Sequence, residues 1–297
     1  MTIAQLQQQF LGAGKNRIAP EDFFILLAYA TNMPKVFLLT HPEYVLEDGT
    51  EAKIHHYCTR RLTHEPVAYI IGHKAFYGRD FSVTRDTLIP RPETERLIEL
   101  VLDAIPHFHL PTNKPISQNI AIIDVGTGSG NIIVTLAKEI SQTYQISSIK
   151  YYATDISSAA LNIAHKNAER YAVDTLITFS AGSFLDPILS SLSDTDCCII
   201  VANLPYLSDA IYQKTRDDVK KFEPHSALVS DQAGLGHYYA LLRHIHSLQK
   251  PTLCFLEISP EQVYLLQNFI RTLLPQAQIQ IYKDLAQQER VVKIRIL

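Results

Sequence analysis

The sequence predicts an α/β fold, with a doubly wound, mostly parallel seven-stranded sheet that ends in an antiparallel hairpin and is preceded by a small helical domain. Three observations predict it. Apolar residues at helical spacing fill the first 70 residues, short apolar runs alternate with helical segments from residue 120 onward, and the chain ends in two alternating polar and apolar segments. A chain of 297 residues is long enough for one large α/β domain and a smaller one.

The first 73 residues predict the helical domain. Pro20-Glu21-Asp22 is typical of a helix start, because proline needs no N–H partner there and the acids lie at the positive end of the helix dipole. A further helix is predicted over residues 51–62. We therefore expect residues 1–73 to fold as a separate module.

A connector is predicted over residues 74–92. Residues 75–83 suggest a β-hairpin that turns at Gly78-Arg79-Asp80. Pro90 and Pro92 then exclude a regular strand or helix over 88–92, because each proline lacks an N–H. The larger domain is predicted to span 93–297.

Strands and helices alternate along that larger domain. The predicted strands are 120–125, 149–154, 176–179, 196–202 and 252–258, and the predicted helices are 131–139, 158–172, 236–248 and 260–273. Alternation of this kind implies a parallel, doubly wound sheet. Two further segments, 278–282 and 290–296, are joined by a polar turn and predict the terminal hairpin.

Composition argues against several classes of protein. The net charge is −3 and the basic residues are scattered, so binding to nucleic acid through phosphate contacts is not expected. The four cysteines form no CxxC pair, and neither they nor the histidines are assigned to a metal site. No basic-then-apolar leader precedes the fold, and the apolar stretches are too short to cross a bilayer, so we expect a cytoplasmic protein with no membrane contact. We also expect a monomer.

A glycine loop joins the first predicted strand of the larger domain to its helix, and it reads Asp124-Val125-Gly126-Thr127-Gly128-Ser129-Gly130. Glycines let a backbone turn sharply and approach a ligand closely. The G-x-G-x-G spacing after an acid differs from the G-x-G-x-x-G of dinucleotide enzymes and favours a cofactor with a cationic amino-acid end, such as S-adenosylmethionine. Asp155, at the end of the next strand, is expected to accept both ribose hydroxyls, and Phe184 to pack on the adenine.

A second motif, Asn203-Leu204-Pro205-Tyr206, follows the strand at 196–202. Ligands of doubly wound sheets bind outside the carboxyl ends of the strands. A planar NH2 group is a poor nucleophile, because its lone pair is delocalised. Two acceptors, the Asn203 side chain and the Leu204 carbonyl, would accept the two hydrogens of the NH2 group. Tyr206 would stack on the planar group, and Pro205 would fix the loop. The motif therefore predicts N-methylation through positioning and electrostatics.

At these motifs the chain resembles the peptide chain release factor glutamine N5-methyltransferases (HemK-type), over nearly its whole length. The resemblance is carried by 66–72, by Leu88-Ile89-Pro90-Arg91-Pro92-Glu93-Thr94-Glu95, by 124–130, Asp155 and 203–206, by Phe222-Glu223-Pro224-His225-Ser226-Ala227-Leu228, and by Glu289-Arg290-Val291.

The resemblance implies a class I methyltransferase fold and a role for each motif. S-Adenosylmethionine would be bound by the loop at 124–130, Asp155, Phe184 and Asn203. Residues 203–206 would hold the glutamine of the Gly-Gly-Gln motif in class 1 release factors, with Asn203, Pro205 and Tyr206 as catalytic residues. The N-terminal domain would dock the release factor.

Two positions depart from the family pattern. Leu204 stands where the family usually has proline, and Ser183 where an acid often lies. Asn-Leu-Pro-Tyr is also the form in ribosomal RNA adenine dimethyltransferases. A nucleic-acid adenine N6-methyltransferase therefore remains an alternative, as does a non-catalytic module that binds the cofactor.

Overall fold

The computed structural model describes residues 1–11, 17–107, 119–143 and 149–296. The chain divides into two compact units. The smaller unit consists of Met1–His73 with Arg216–Phe222, and the larger one of Lys74–Thr215 with Glu223–Leu297.

The helices of the described residues, in chain order, are α1 Ile3–Leu11, α2 Pro20–Thr31, α3 Lys35–Thr40, α4 Thr50–Leu62, α5 Val67–Ile71, α6 Glu95–Ala104, α7 Asn131–Thr143, α8 Ser158–Arg170, α9 Asp209–Tyr212, α10 Asp217–Phe222, α11 Asp231–Gly234, α12 Gly236–Leu248 and α13 Val263–Leu273. The strands are β1 His73–Phe76, β2 Arg79–Ser82, β3 Ile120–Val125, β4 Ile149–Asp155, β5 Ile177–Ala181, β6 Cys197–Ala202, β7 Thr252–Glu257, β8 Gln278–Lys283 and β9 Glu289–Ile296.

The smaller unit is helical, as predicted. Its core is formed by apolar side chains of α1, α2 and α4, among them the fully buried Leu6, Phe23 and Ile54. Helix α2 begins at Pro20, and Asp22 in its first turn accepts a hydrogen bond from the Nε of Arg61 at 2.8 Å. This ion pair ties the start of α2 to the last turn of α4.

Strands β1 and β2 form the predicted hairpin, but the turn lies at Tyr77-Gly78 and not at residues 78–80. Both turn residues have positive φ, 49° and 69°. A two-residue turn of this kind matches the twist of the flanking strands, so Arg79 and Asp80 already belong to β2.

Seven strands of the described residues form one sheet in the order β5-β4-β3-β6-β7-β9-β8. Strands β3 to β7 are parallel, and β9 runs antiparallel to both β7 and β8, which confirms the predicted sheet and its terminal hairpin. Every residue of β3, β6 and β7 is buried. These strands are mostly apolar because both faces of a parallel sheet are covered, and the buried carboxyls Asp124 of β3 and Glu257 of β7 are the acidic exceptions.

Two core layers cover the sheet. One contains Ile133 of α7 and Val101 of α6, and the other contains Leu241 of α12 and Leu266 of α13. The chain progresses outward from β3 through β4 to β5 and then returns to β6 on the other side of β3. The loops after β3 and β6 therefore diverge and leave a crevice at the carboxyl ends of these two strands.

Candidate active site

A cavity of ≈ 460 Å³ lies at the carboxyl ends of the parallel strands, within the larger unit. Its walls come from the segments that follow four strands: 126–129 after β3, 155–157 at the end of β4, 182–184 after β5 and 203–205 after β6. The cavity therefore joins the glycine loop and the Asn-Leu-Pro-Tyr motif in one space.

The glycine loop uses its glycines in two different ways. A side chain at Gly126 would come within 2.8 Å of Leu204 Cδ2, and one at Gly130 within 2.9 Å of the Ala164 Cβ, so these glycines permit close packing inside the protein. Gly128 lines the cavity, has a φ of 55°, and would place a Cβ where no protein atom lies within 4 Å. The space above Gly128 is thus open to a ligand.

Asp124 lies beneath this loop. It is fully buried and does not line the cavity. The hydroxyl of Thr127 donates to its Oδ2 at 2.6 Å, while its Oδ1 has no hydrogen-bond partner. Burial raises the pKa of Asp124 to about 7, and the hydrogen bond from Thr127 offsets only part of that effect.

Asp155 ends β4 and does line the cavity. Its Oδ2 accepts the backbone N–H of Gly128 at 2.9 Å, and its Oδ1 accepts that of Ser157 at 2.9 Å. These contacts fix the carboxyl group and leave further lone pairs on both oxygens. Burial raises the pKa of Asp155 above its ordinary value, and the backbone hydrogen bonds oppose that rise.

Phe184 lines the cavity from the segment after β5. Its carbonyl oxygen accepts the hydroxyl of Thr154 at 2.8 Å, and its φ of 49° is in the left-handed region. The ring centroid lies 5.3 Å from that of His244 and 6.3 Å from that of His237. The backbone turn and the two imidazoles together hold the ring at the cavity wall.

Asn203 follows β6, and its amide nitrogen is bound on the protein side. Its Nδ2 donates to the Oγ1 of Thr94 at 3.1 Å. Thr94 is only 2% exposed, and its hydroxyl lies near the carboxyl of Glu257, the last residue of β7, whose Oε2 is buried with no hydrogen-bond partner. Burial raises the pKa of Glu257 to about 7, although the nearby Thr94 hydroxyl and the charge of Arg290 lower it in part.

The other three residues of the motif differ in their surroundings. Leu204 is buried, and its carbonyl oxygen accepts from the hydroxyl of Tyr238 at 3.3 Å. Pro205 lines the cavity, whereas Tyr206 does not. Tyr206 packs against the core layer of α12 and α13, its carbonyl accepts from Gln262 Nε2 at 2.7 Å, and burial raises the pKa of its phenol.

The proline connector forms a further wall of the cavity, through Arg85, Asp86, Thr87, Leu88, Pro90 and Arg91. Arg91 forms an ion pair with Glu223, and the second carboxylate oxygen of Glu223 accepts the backbone N–H of Ile89 at 3.3 Å. Residues Pro224, Ser226 and Ala227, which follow Glu223, also line the cavity. Two sequence motifs that are distant along the chain thus meet at one wall.

Nine of the predicted site residues line this cavity: Gly126, Thr127, Gly128, Ser129, Asp155, Phe184, Asn203, Leu204 and Pro205. Asp124, Gly130 and Tyr206 do not. Sequence reasoning included the connector and the Phe-Glu-Pro segment among the motifs that carry the family resemblance, but it assigned no site role to Arg91, Thr94 or Glu223. It also missed His237, for which the sequence carries no signal beyond its place in an amphipathic helix.

The described ranges contain no helix long and apolar enough to span a bilayer. Among the same residues, no group of three histidine, cysteine, aspartate or glutamate side chains is arranged to hold a metal ion.

Both parts of the chain match known families. Residues 3–72 match the PrmC N-terminal domain, and residues 116–287 match a methyltransferase domain. The release factor glutamine methyltransferase of Nitratidesulfovibrio vulgaris is 36% identical over 227 residues, which cover 76% of this chain and 70% of that protein. The protein of the same name from Bacillus subtilis is 32% identical over 281 residues, or 94% of this chain and 91% of that one.

A solved structure shares the fold at lower identity. The hMettl16 catalytic domain in complex with MAT2A 3'UTR hairpin 1 has a TM-score of 0.53 and 16% identity, and the match covers 96% of this chain and 94% of that chain. At this identity the likeness concerns the fold alone.

The fold and its matching domain define the protein as a methyltransferase, a class of enzyme that transfers methyl groups from S-adenosylmethionine. More narrowly, the chain belongs to the release factor glutamine methyltransferase family. The family predicted from the sequence is thereby confirmed.

Proposed function

We propose that this protein methylates the side-chain amide nitrogen (N5) of the glutamine in the Gly-Gly-Gln motif of class 1 peptide chain release factors, with S-adenosylmethionine as the methyl donor. The observation that carries the proposal is the shared cavity, in which the glycine loop and Asp155 lie on one side and Asn203–Pro205 on the other. The names of the relatives support the choice of substrate.

The residues present fit S-adenosylmethionine. The open space above Gly128 suits close approach of a ligand to the loop backbone. Asp155 offers a fixed carboxylate for two neighbouring hydroxyls, and Phe184 offers an aromatic face. When bound there, the cofactor supplies a methyl group on a cationic sulfur atom.

The reacting groups of the protein act by positioning. Asn203 Oδ1 and the Leu204 carbonyl accept the two hydrogens of the substrate amide, which favours rehybridisation of its nitrogen and directs the lone pair toward the methyl group. One bond forms between nitrogen and the methyl carbon as the sulfur–carbon bond breaks, and the nitrogen then releases one proton to water. Pro205 restricts the loop. We also propose that the Tyr206 ring stacks on the planar amide of the substrate, although in the structure it packs against the core layer of α12 and α13 and does not line the cavity.

The helical unit supports the choice of a protein substrate. Helix α3 exposes Val36 and Leu39, which are 72% and 50% exposed and lie on one helix face at a spacing of three residues. Exposed apolar residues of this kind suit docking of a protein partner. We propose that this unit binds the body of the release factor.

One observation favours a second candidate function, adenine N6-methylation of a nucleic acid. Leu204 gives the motif the form Asn-Leu-Pro-Tyr, and an aromatic amine presents the same planar NH2 group. Two observations favour the protein substrate. The net charge is −3, and the basic residue Arg91 at the cavity wall is already paired with Glu223, so it is not available to bind a phosphate group.

The test is transfer of a labelled methyl group from S-adenosylmethionine to a purified class 1 release factor, with ribosomal RNA assayed in parallel. We expect label on the release factor, and none on a release factor whose Gly-Gly-Gln glutamine is replaced by alanine. Label on RNA alone would establish the second candidate. Tight cofactor binding without transfer to either substrate would support the non-catalytic module.

A further inference from the structure

The side chain of Asn167 joins two segments that are distant from each other in the chain. It lies on α8 and is fully buried. Its Oδ1 accepts the backbone N–H of Ser82, in β2, at 2.8 Å, and its Nδ2 donates to the carbonyl oxygen of Ser82 at 3.0 Å. The same Nδ2 donates to the carbonyl oxygen of Ser129, in the glycine loop, at 2.8 Å. One amide thus links β2 to the loop that lines the cavity.

These contacts fix the orientation of the Asn167 amide. Ser82 presents one donor and one acceptor, which match the oxygen and the NH2 end of the amide, so a half-turn of the amide would break both hydrogen bonds. The second hydrogen of the NH2 group is bound to Ser129. Because both hydrogens are engaged, a single planar group sets the distance between β2 and the glycine loop.

The peptide group between Ser129 and Gly130 is held at both ends. Asn167 binds its carbonyl oxygen, and its N–H, from Gly130, donates to the carbonyl oxygen of Thr127 at 2.8 Å. Ser129 lines the cavity, and its own backbone N–H makes no hydrogen bond among the described residues. A fixed N–H of this kind suits a ligand with an acceptor group, such as the carboxylate of a cofactor with an amino-acid end.

Tyr171 binds the same strand but not the loop. It lies four positions after Asn167, and its hydroxyl accepts the N–H of Asp80 at 2.6 Å and donates to the carbonyl oxygen of Asp80 at 2.8 Å. In the described part of the chain, Tyr171 neither lines the cavity nor hydrogen-bonds to residues 124–130. The two side chains therefore share the task of holding β2, and only Asn167 also holds the glycine loop.

We infer that Asn167 is a positioning residue for the cofactor, which holds the Ser129 carbonyl, and with it the glycine loop, in the conformation that binds S-adenosylmethionine. The inference rests on the proposed function, since it takes that cofactor as the ligand of the loop. Asn167 does not itself line the cavity and acts through Ser129.

The test compares Asn167→Asp with Tyr171→Phe. Asn167→Asp keeps the size of the side chain and replaces the NH2 group by an oxygen, which faces the carbonyl oxygens of Ser82 and Ser129. We expect it to raise the Kd for S-adenosylhomocysteine by about 10-fold or more in calorimetric titration, because a loop that is no longer held must be ordered on binding. Tyr171→Phe should change that Kd by less than about 2-fold, although urea unfolding should show lower stability in both variants.

NMR spectroscopy reports on the Ser129 carbonyl without any ligand. In the ¹³C,¹⁵N-labelled protein, its carbon resonance is detected through the amide N–H of Gly130. We expect the chemical shift of a hydrogen-bonded carbonyl in the wild type and in Tyr171→Phe, and an upfield shift in Asn167→Asp. Asn167→Ala, which removes the amide without adding an oxygen, is measured in both experiments if Asn167→Asp does not fold.

The outcomes separate this inference from the proposed function. An unchanged Kd in a folded Asn167 variant overturns the positioning role, and so does an equal rise in Tyr171→Phe, because the effect then comes from loosening of β2 alone. If the wild type binds no S-adenosylhomocysteine, the proposed cofactor is wrong and the inference fails with it. If the wild type binds S-adenosylhomocysteine but methylates no release factor, the proposed substrate alone is wrong.

Discussion

Arg91 forms an ion pair with Glu223, a residue 132 positions further along the chain, and Glu223 is only 5% exposed. The same carboxylate binds the backbone N–H of Ile89, so one buried side chain holds both the charge and the main chain of the connector. The position of the cavity wall at residues 85–91 therefore depends on a residue that lies far away in the sequence.

Glu223→Gln should lower the free energy of unfolding by about 2–3 kcal/mol, because it leaves the Arg91 guanidinium without its countercharge; Arg91 is partly exposed, which keeps the loss below that of a fully buried pair. Urea unfolding measures it. Glu99→Gln is the matched control, since the Arg96–Glu99 pair has side chains that are 36% and 50% exposed and should contribute less than about 0.5 kcal/mol. Equal small losses in the two variants would show that solvent screens the Arg91 pair as well.

Asn203→Ala should reduce methyl transfer to the release factor by about 10²- to 10³-fold, as expected when one preorganised acceptor at the reacting group is removed. Affinity for S-adenosylmethionine should be largely retained, because the glycine loop and Asp155 remain in place. Single-turnover transfer and a separate cofactor titration measure the two quantities. Turnover near that of the wild type would contradict the role given to the Asn203 amide.

Gly128→Ala and Gly130→Ala should have different effects, although both residues have positive φ, 55° and 77°. The methyl group at residue 128 enters open space at the cavity, so Gly128→Ala should mainly weaken cofactor binding. At residue 130 it meets Ala164 at 2.9 Å, so Gly130→Ala should mainly lower the free energy of unfolding, by about 1–3 kcal/mol. Calorimetric titration and urea unfolding of both variants would reveal whether the two effects separate.

The contribution of Asp124 to the stability of the protein should fall as the pH rises from about 4 to 7. The pKa of the buried Asp124 is raised from 3.8 to about 7, so in this range the folded state binds more protons than the unfolded state, and the free energy of unfolding falls with increasing pH. Asp124→Asn removes one titrating group and should flatten this decline. Urea unfolding at pH 5, 6 and 7 checks the slope, and identical slopes in the wild type and the variant would exclude Asp124 as its source.

Replacement of both Val36 and Leu39 by aspartate should raise the KM for whole release factor by about 10-fold, because an apolar contact is replaced by charges. The KM for a short Gly-Gly-Gln peptide should stay the same. Leu285→Asp is a control in the larger unit, where Leu285 is fully exposed. If peptide and whole release factor are affected alike, or neither is affected, the docking role assigned to α3 is wrong.

The strands of the larger domain could be predicted closely because strands buried on both faces have mostly apolar sequences, as in Ile120–Val125 and Cys197–Ala202. The hairpin turn was predicted one residue too late, because Tyr77 adopts a positive φ, which is rarely expected of a tyrosine. Local patterns identify elements well when a single periodicity governs a segment.

The candidate site could be predicted only in part. Residues directly after a strand, such as Asn203 and Asp155, are recognisable because parallel strands bring their carboxyl ends to one edge. Thr94, Arg91 and Glu223 take their roles from partners more than 100 positions away, at 109 residues for Thr94–Asn203 and 132 for Arg91–Glu223. No periodicity within a segment encodes such a pairing.

The cavity wall draws on segments from Arg85 to His237. A polypeptide still emerging from the ribosome therefore has no complete cofactor site until the chain has been made as far as His237. Occupancy by a ligand then requires that all of these segments are folded, and it stabilises the folded chain. A ligand at 100 times its Kd adds about 2.7 kcal/mol to the free energy of unfolding by mass action, so that the supply of methyl donor also becomes a determinant of how long the enzyme survives.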